Sequence, residues 1–267
     1  MLRSIFTKTL RDARRAITWW TLGLIGLVLL TVAPYPSLRA DESLNETVEN
    51  LPAAVKRLFT FSGEFDFTSP AGYLGGRLFS LMLPLLLLVA AIGAGARALA
   101  GEEERGTLDL LLANPVPRTR VALEKLAALV VEVVLLAAVV WAGLVLLAPL
   151  FELEIGSGRL AAATLDAGLL AIGFGAVALA VGAATGNRGL AAGVTAAAAV
   201  AAYLVNSFSD LLDLVERIRV VSPFFHYSAG DPLRNGLSAG HTAFLVAFVL
   251  VAGALGPFLF DRRDLSA

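Results

Sequence analysis

Cysteine is absent from this 267-residue chain. Disulfides, thiolate metal sites and cysteine nucleophiles are therefore excluded. Histidine is almost absent: only His226 and His241 occur. A metal centre needs several ligands, so each reads first as an interfacial polar residue. Charged residues make up only 16%, against roughly 25% in an ordinary soluble domain. No Gly-Lys dipeptide occurs, so the chain has no Walker-type phosphate loop, and neither HExxH nor GxSxG is present. No sustained basic tract supports nucleic-acid binding.

What the chain has in quantity is apolar surface, 57% of its residues. The few charges are clustered, which leaves six long apolar runs: 17–33, 78–96, 126–150, 160–185, 190–208 and 241–260. About 20 apolar residues in a helix cross the hydrocarbon core. The sequence therefore predicts an all-α membrane protein, a six-helix transmembrane bundle in one domain. A β-barrel would show strands of alternating polarity over about 10 residues, which these runs do not. Gly173-Phe-Gly175 and Gly93-Ala-Gly95 begin a dinucleotide fingerprint, but each lies inside an apolar run rather than after a strand.

Orientation follows from Lys and Arg. Residues 1–16 carry Arg3, Lys8, Arg11, Arg14 and Arg15 against Asp12 alone, which predicts a cytoplasmic N-terminus. Six spans then place 97–125, Asn187–Arg188 and the tail after 260 on the same side, with both termini cytoplasmic. Leu2, Phe6, Leu10, Ala13 and Ile17 share one helical face. Residues 1–16 are thus expected to lie as an amphipathic helix in the inner headgroup region. Trp19 and Trp20 fit an interfacial aromatic belt. A cleaved signal peptide is the competing reading, but its apolar core would be shorter. On the outer face, 34–72 is expected to hold a short helix near 51–61, and 206–240 a second amphipathic stretch.

Gly182–Gly186 and Gly189–Gly193 are small-xxx-small patterns suited to close helix packing. Two acids fall within spans, Glu132 in the third and Asp166 in the fourth. An intramembrane carboxylate costs at least about 2.5 kcal/mol to insert, so each should face protein or water.

The stretch 101–125, GEEERGTLDLLLANPVPRTRVALEK, is a long polar segment between two apolar spans. Leu108, Leu111 and Leu112 have helical spacing, Asn114-Pro115-Val116-Pro117 breaks the helix, and Arg118 resumes it. Together with Ser69-Pro70-Ala71-Gly72-Tyr73, Ser222-Pro223-Phe224, Asp231-Pro232-Leu233-Arg234-Asn235-Gly236 and Phe260-Asp261-Arg262-Arg263, this loop closely resembles the permease subunits of type-2 ABC exporters. Those carry E-x-E-R-G-T-L-E-L-L-L-S-x-P-V-S-R between the second and third spans. This chain departs from the pattern at Asn114 and Pro117. The resemblance covers essentially the whole chain. It implies a subunit that binds no cofactor itself, dimerises with a second permease copy or paralogue in the lipid bilayer of the cell membrane, and recruits a separate cytoplasmic ABC ATPase that uses ATP and Mg. It further implies that coupling to the ATPase runs through Glu102, Glu103, Glu104, Arg105, Gly106, Thr107, Leu111, Pro115, Arg118 and Lys125. Export of a substrate is the expected function. A membrane anchor that transmits force to an outer-face partner, or a membrane enzyme built on Glu132 or Asp166, are the alternatives.

Overall fold

A computed structural model of the chain describes residues 4–39, 69–108, 111, 116–208 and 219–263. Among these residues there are helices and no strands. Six helical segments are long and apolar enough to cross a membrane. The expected short helix near 51–61 and residues 209–218 of the stretch 206–240 lie outside the described residues.

Helix α1, Ile5–Val32, is a single uninterrupted helix. Ser4 caps it, its side chain accepting from the Thr7 amide at 3.2 Å. The expected amphipathic turns and the first span thus form one continuous helix. Its 28 residues are about 42 Å long, against about 30 Å of hydrocarbon. The excess is long enough to hold the basic N-terminal turns outside the core. Pro34 follows the end of α1, and a short helix α2, Tyr35–Arg39, succeeds it.

The second span begins earlier than its apolar run suggests. Helix α3, Pro70–Leu74, starts on a Ser69 cap with proline in its first turn, and passes into a π-helical turn, Gly75–Phe79. Helix α4, Met82–Ala98, then crosses the bundle. The break has an anchor on each side. Tyr73 donates to the Thr31 carbonyl of α1 at 2.7 Å, and Tyr227 donates to the Phe79 carbonyl at 2.7 Å. Two buried tyrosines thus pin an irregular stretch that hydropathy alone does not register.

Helix α5, Ala100–Glu104, extends α4 after a distorted Leu99. Helix α6, Arg118–Leu147, restarts on Pro117. A 3-10 turn at Ala148–Phe151 leads to α7, Ser157–Thr185, and then α8, Arg188–Phe208. Gly186 sits in the left-handed region at φ 67°, where it ends α7. Short helices α9, Pro223–Ala229, and α10, Pro232–Asn235, precede α11, Ala239–Arg262.

Helix α7 is the centre of the bundle, packing on α4, α11, α6 and α8. In its most apolar window 78% of residues are buried, against 17% in α8, which is therefore peripheral. Small residues allow the central approach. A Cβ on Gly95 of α4 would fall on the carbonyl oxygen of Gly175 in α7, so the two backbones nearly touch. Gly173 leaves room in the same way for the ring of Phe248 on α11.

Candidate functional site

The N-terminal turns of α1, the 97–125 connection, Arg188 and Arg263 meet at one end of the bundle, hereafter the loop end. Glu102, only 4% exposed, is its hub. Lys125 of α6 donates to Glu102 Oε1 at 2.6 Å, and Lys8 of α1 lies 3.7 Å from the same oxygen. Thr107 donates from its hydroxyl to Oε2, and its amide donates to the Glu102 carbonyl at 2.9 Å. Arg105 approaches Oε2 at 3.7 Å. Gly106, at φ 65°, makes the tight turn that returns Thr107 to Glu102. Burial alone raises a carboxyl pKa, but the hydrogen bonds from Lys125 and Thr107 and the charges of Lys125 and Lys8 overcome it. They hold Glu102 down at about 2.

Three further carboxylates tie in the neighbouring segments. Glu103 receives both guanidinium nitrogens of Arg263, Nη1 at 2.9 Å and Nη2 at 2.5 Å. Glu104 accepts the Arg188 amide at 2.8 Å, and Asn187 caps the same helix start by accepting from Leu190 at 2.8 Å. Glu124 accepts the Phe6 amide at 3.0 Å, which places negative charge at the amino end of α1. Arg118 donates to the Arg263 carbonyl at 2.8 Å. The acids of 102–104 therefore brace the loop end internally. The side chain of Arg105 is open to a partner, 64% exposed.

Behind the hub lies a polar cavity of about 270 Å³ between α1, α4 and α6. Lys125, Leu129 and Glu132 form one stripe of α6 along its wall. Glu132 is 4% exposed and its Oε1 has no hydrogen-bond partner among the described residues. Arg97 of α4 lines the same cavity. Asp166 is elsewhere: near the opposite end, the far end, it accepts from Thr242 of α11 at 2.9 Å.

The structure thus brings together Glu102, Glu103, Glu104, Arg105, Gly106, Thr107, Arg118 and Lys125, with Glu132 one cavity away. Leu111 is half-buried and helical, its amide donating to the Thr107 carbonyl at 3.3 Å. Pro115 lies outside the described residues. Lys8, Glu124, Arg188 and Arg263 complete the arrangement, and the sequence does not announce which acids they meet. Their partners stand 84 to 160 residues distant for Glu104–Arg188, Phe6–Glu124 and Glu103–Arg263.

Six apolar rods, with α7 at their centre, define a multi-pass membrane subunit. The sequence matches the description ABC-2 family transporter protein over residues 3–265, and the chain belongs to that family. It is the membrane permease subunit of an ABC transporter rather than its ATPase. No curated protein matches the sequence.

Proposed function

We propose that this permease is an exporter subunit whose loop end is cytoplasmic and receives the stroke of a separate ATPase, with a second permease copy completing the pathway. The braced loop end carries this reading. A push on a mobile loop is lost in bending, whereas Glu102, Lys125 and Lys8 join α1, α5 and α6 into one unit. Force on the turn at Arg105 is then delivered to the starts of two spans together. Arg105 itself is the contact offered to an acidic surface on the ATPase. The cations of the loop end, among them Arg11, Arg14, Arg15, Arg118, Arg120 and Arg262, support the cytoplasmic orientation.

The test is Arg105→Glu, co-expressed with the cognate ATPase. Insertion into the membrane is expected to be unchanged, while co-purification and ATP-driven activity fall about tenfold, the effect of about 1.4 kcal/mol. Equal recovery of ATPase and equal activity would remove Arg105 from the docking surface. Orientation is read separately, since the cysteine-free chain accepts single reporters without background. Arg105→Cys should react with an impermeant thiol reagent only in inverted vesicles, and Gly236→Cys only in intact cells. Solute accumulation in inverted vesicles distinguishes export from force transmission to an outer partner.

A further inference from the structure

At the far end His226 and His241 face each other. Nδ1 of His226 on α9 lies 3.0 Å from Nδ1 of His241 in the first turn of α11. Nε2 of His226 lies 2.8 Å from the Val220 carbonyl oxygen. A carbonyl only accepts, so this Nε2 carries the hydrogen. In neutral His226 the lone pair is then on Nδ1, aimed at His241. The ring cannot turn freely. It stacks on Phe244 at a centroid distance of 3.7 Å and 12°, and Phe225 meets it edge-on at 5.1 Å. Phe225 also meets His241 edge-on, at 5.7 Å, and Arg219 lies over Phe225 at 4.6 Å.

We propose that His226 and His241 form a two-imidazole site for a borderline divalent d-block cation, the chemistry shared by Cu²⁺ and Zn²⁺. Imidazole nitrogen suits these ions. A ligating histidine almost always donates its other ring N–H to a carbonyl, a carboxylate or water, and His226 already does so to Val220. Two nitrogens bound at about 2.0–2.1 Å in tetrahedral geometry stand about 3.3 Å apart. The present separation therefore needs to open by only about 0.3 Å. In the neutral pair the His241 hydrogen sits on Nδ1; metal binding moves it to Nε2, so no net proton is lost. Among the described residues no third His, Cys, Asp or Glu joins the pair. Water fills the remaining positions, which makes the site open and exchangeable. A bound ion links α9, in the connection that follows α8, to the start of α11.

The experiment uses the full chain in lipid nanodiscs, purified without a polyhistidine tag and loaded with one equivalent of Cu²⁺. Electron paramagnetic resonance is expected to show hyperfine splitting from two imidazole nitrogens, and Zn²⁺ is expected to compete for the site. His226→Gln and His241→Gln should each weaken binding about tenfold or more and leave a one-nitrogen spectrum. A wild-type spectrum with one nitrogen or none overturns the site, and so does unchanged affinity in the double variant. The nitrogen count is made on the unaltered chain, so a variant that fails to fold does not hide the answer.

Discussion

At Glu102 two effects of opposite sign act on one carboxyl. Burial disfavours its charge, while Lys125, Thr107 and Lys8 favour it, and the cations prevail: the group ionises at about 2 rather than 4.5. A depressed carboxyl pKa stabilises the folded arrangement above the unfolded value, and the contribution disappears as pH falls through the folded one. The loop end should therefore hold its strength down to about pH 4.5 and lose it progressively toward pH 2. In purified protein, thermal unfolding followed from pH 6 to 2 should show this acid loss in the wild type. Glu102→Gln should be less stable at pH 6 and lose less stability than the wild type over the same window. Parallel pH profiles for the two proteins would show that Glu102 is not the group responsible. The sequence places Glu102 beside three charged neighbours, Glu103, Glu104 and Arg105, without ranking them. Its burial depends on Lys8 and Lys125 arriving from other helices, and that is a tertiary fact.

Along the elements, what was legible follows from length and composition. Six apolar runs give six helices because a lipid-facing backbone must satisfy its hydrogen bonds within each helix. The misread boundaries have local causes. Hydropathy cannot detect that Ser69 and Pro70 start a helix before the apolar run, nor that α1 continues unbroken through its charged turns. Small-residue spacing likewise does not say which glycines touch. Gly182 meets Ala100 and Ala191, with a Cβ there 3.4 and 3.6 Å from theirs, whereas a Cβ on Gly193 meets nothing within 4 Å. The tight crossing is Gly95 on Gly175. Gly95→Ala should cost about 1–3 kcal/mol through overpacking of α4 against α7. Gly193→Ala should be neutral or gain up to about 1 kcal/mol from helix propensity. Unfolding of the two variants in matched detergent decides the matter, and equal stability would mean that the α4–α7 seam yields easily.

Across the whole molecule, the ends of the chain are gathered onto the connection between the second and third spans. Glu124 holds the start of α1, and Glu103 holds Arg263 just beyond the end of α11. The first and last spans are thereby fastened to the segment that we propose takes the ATPase stroke. The Glu103–Arg263 pair is bidentate and largely shielded, with side chains 30% and 19% exposed, so it is worth more than a surface ion pair. If the fastening transmits motion, its charge matters only as a match. Glu103→Lys should reduce ATP-driven activity about tenfold, because Arg263 then faces a like charge. Glu103→Lys combined with Arg263→Glu should recover most of that loss. The Arg118 bond to residue 263 is made to the backbone carbonyl and survives the exchange. ATPase co-purification separates two meanings of the result. Recovery of activity at constant ATPase binding assigns the pair to transmission within the permease. Loss of ATPase binding in Glu103→Lys that the second change does not restore would instead make Glu103 part of the docking surface.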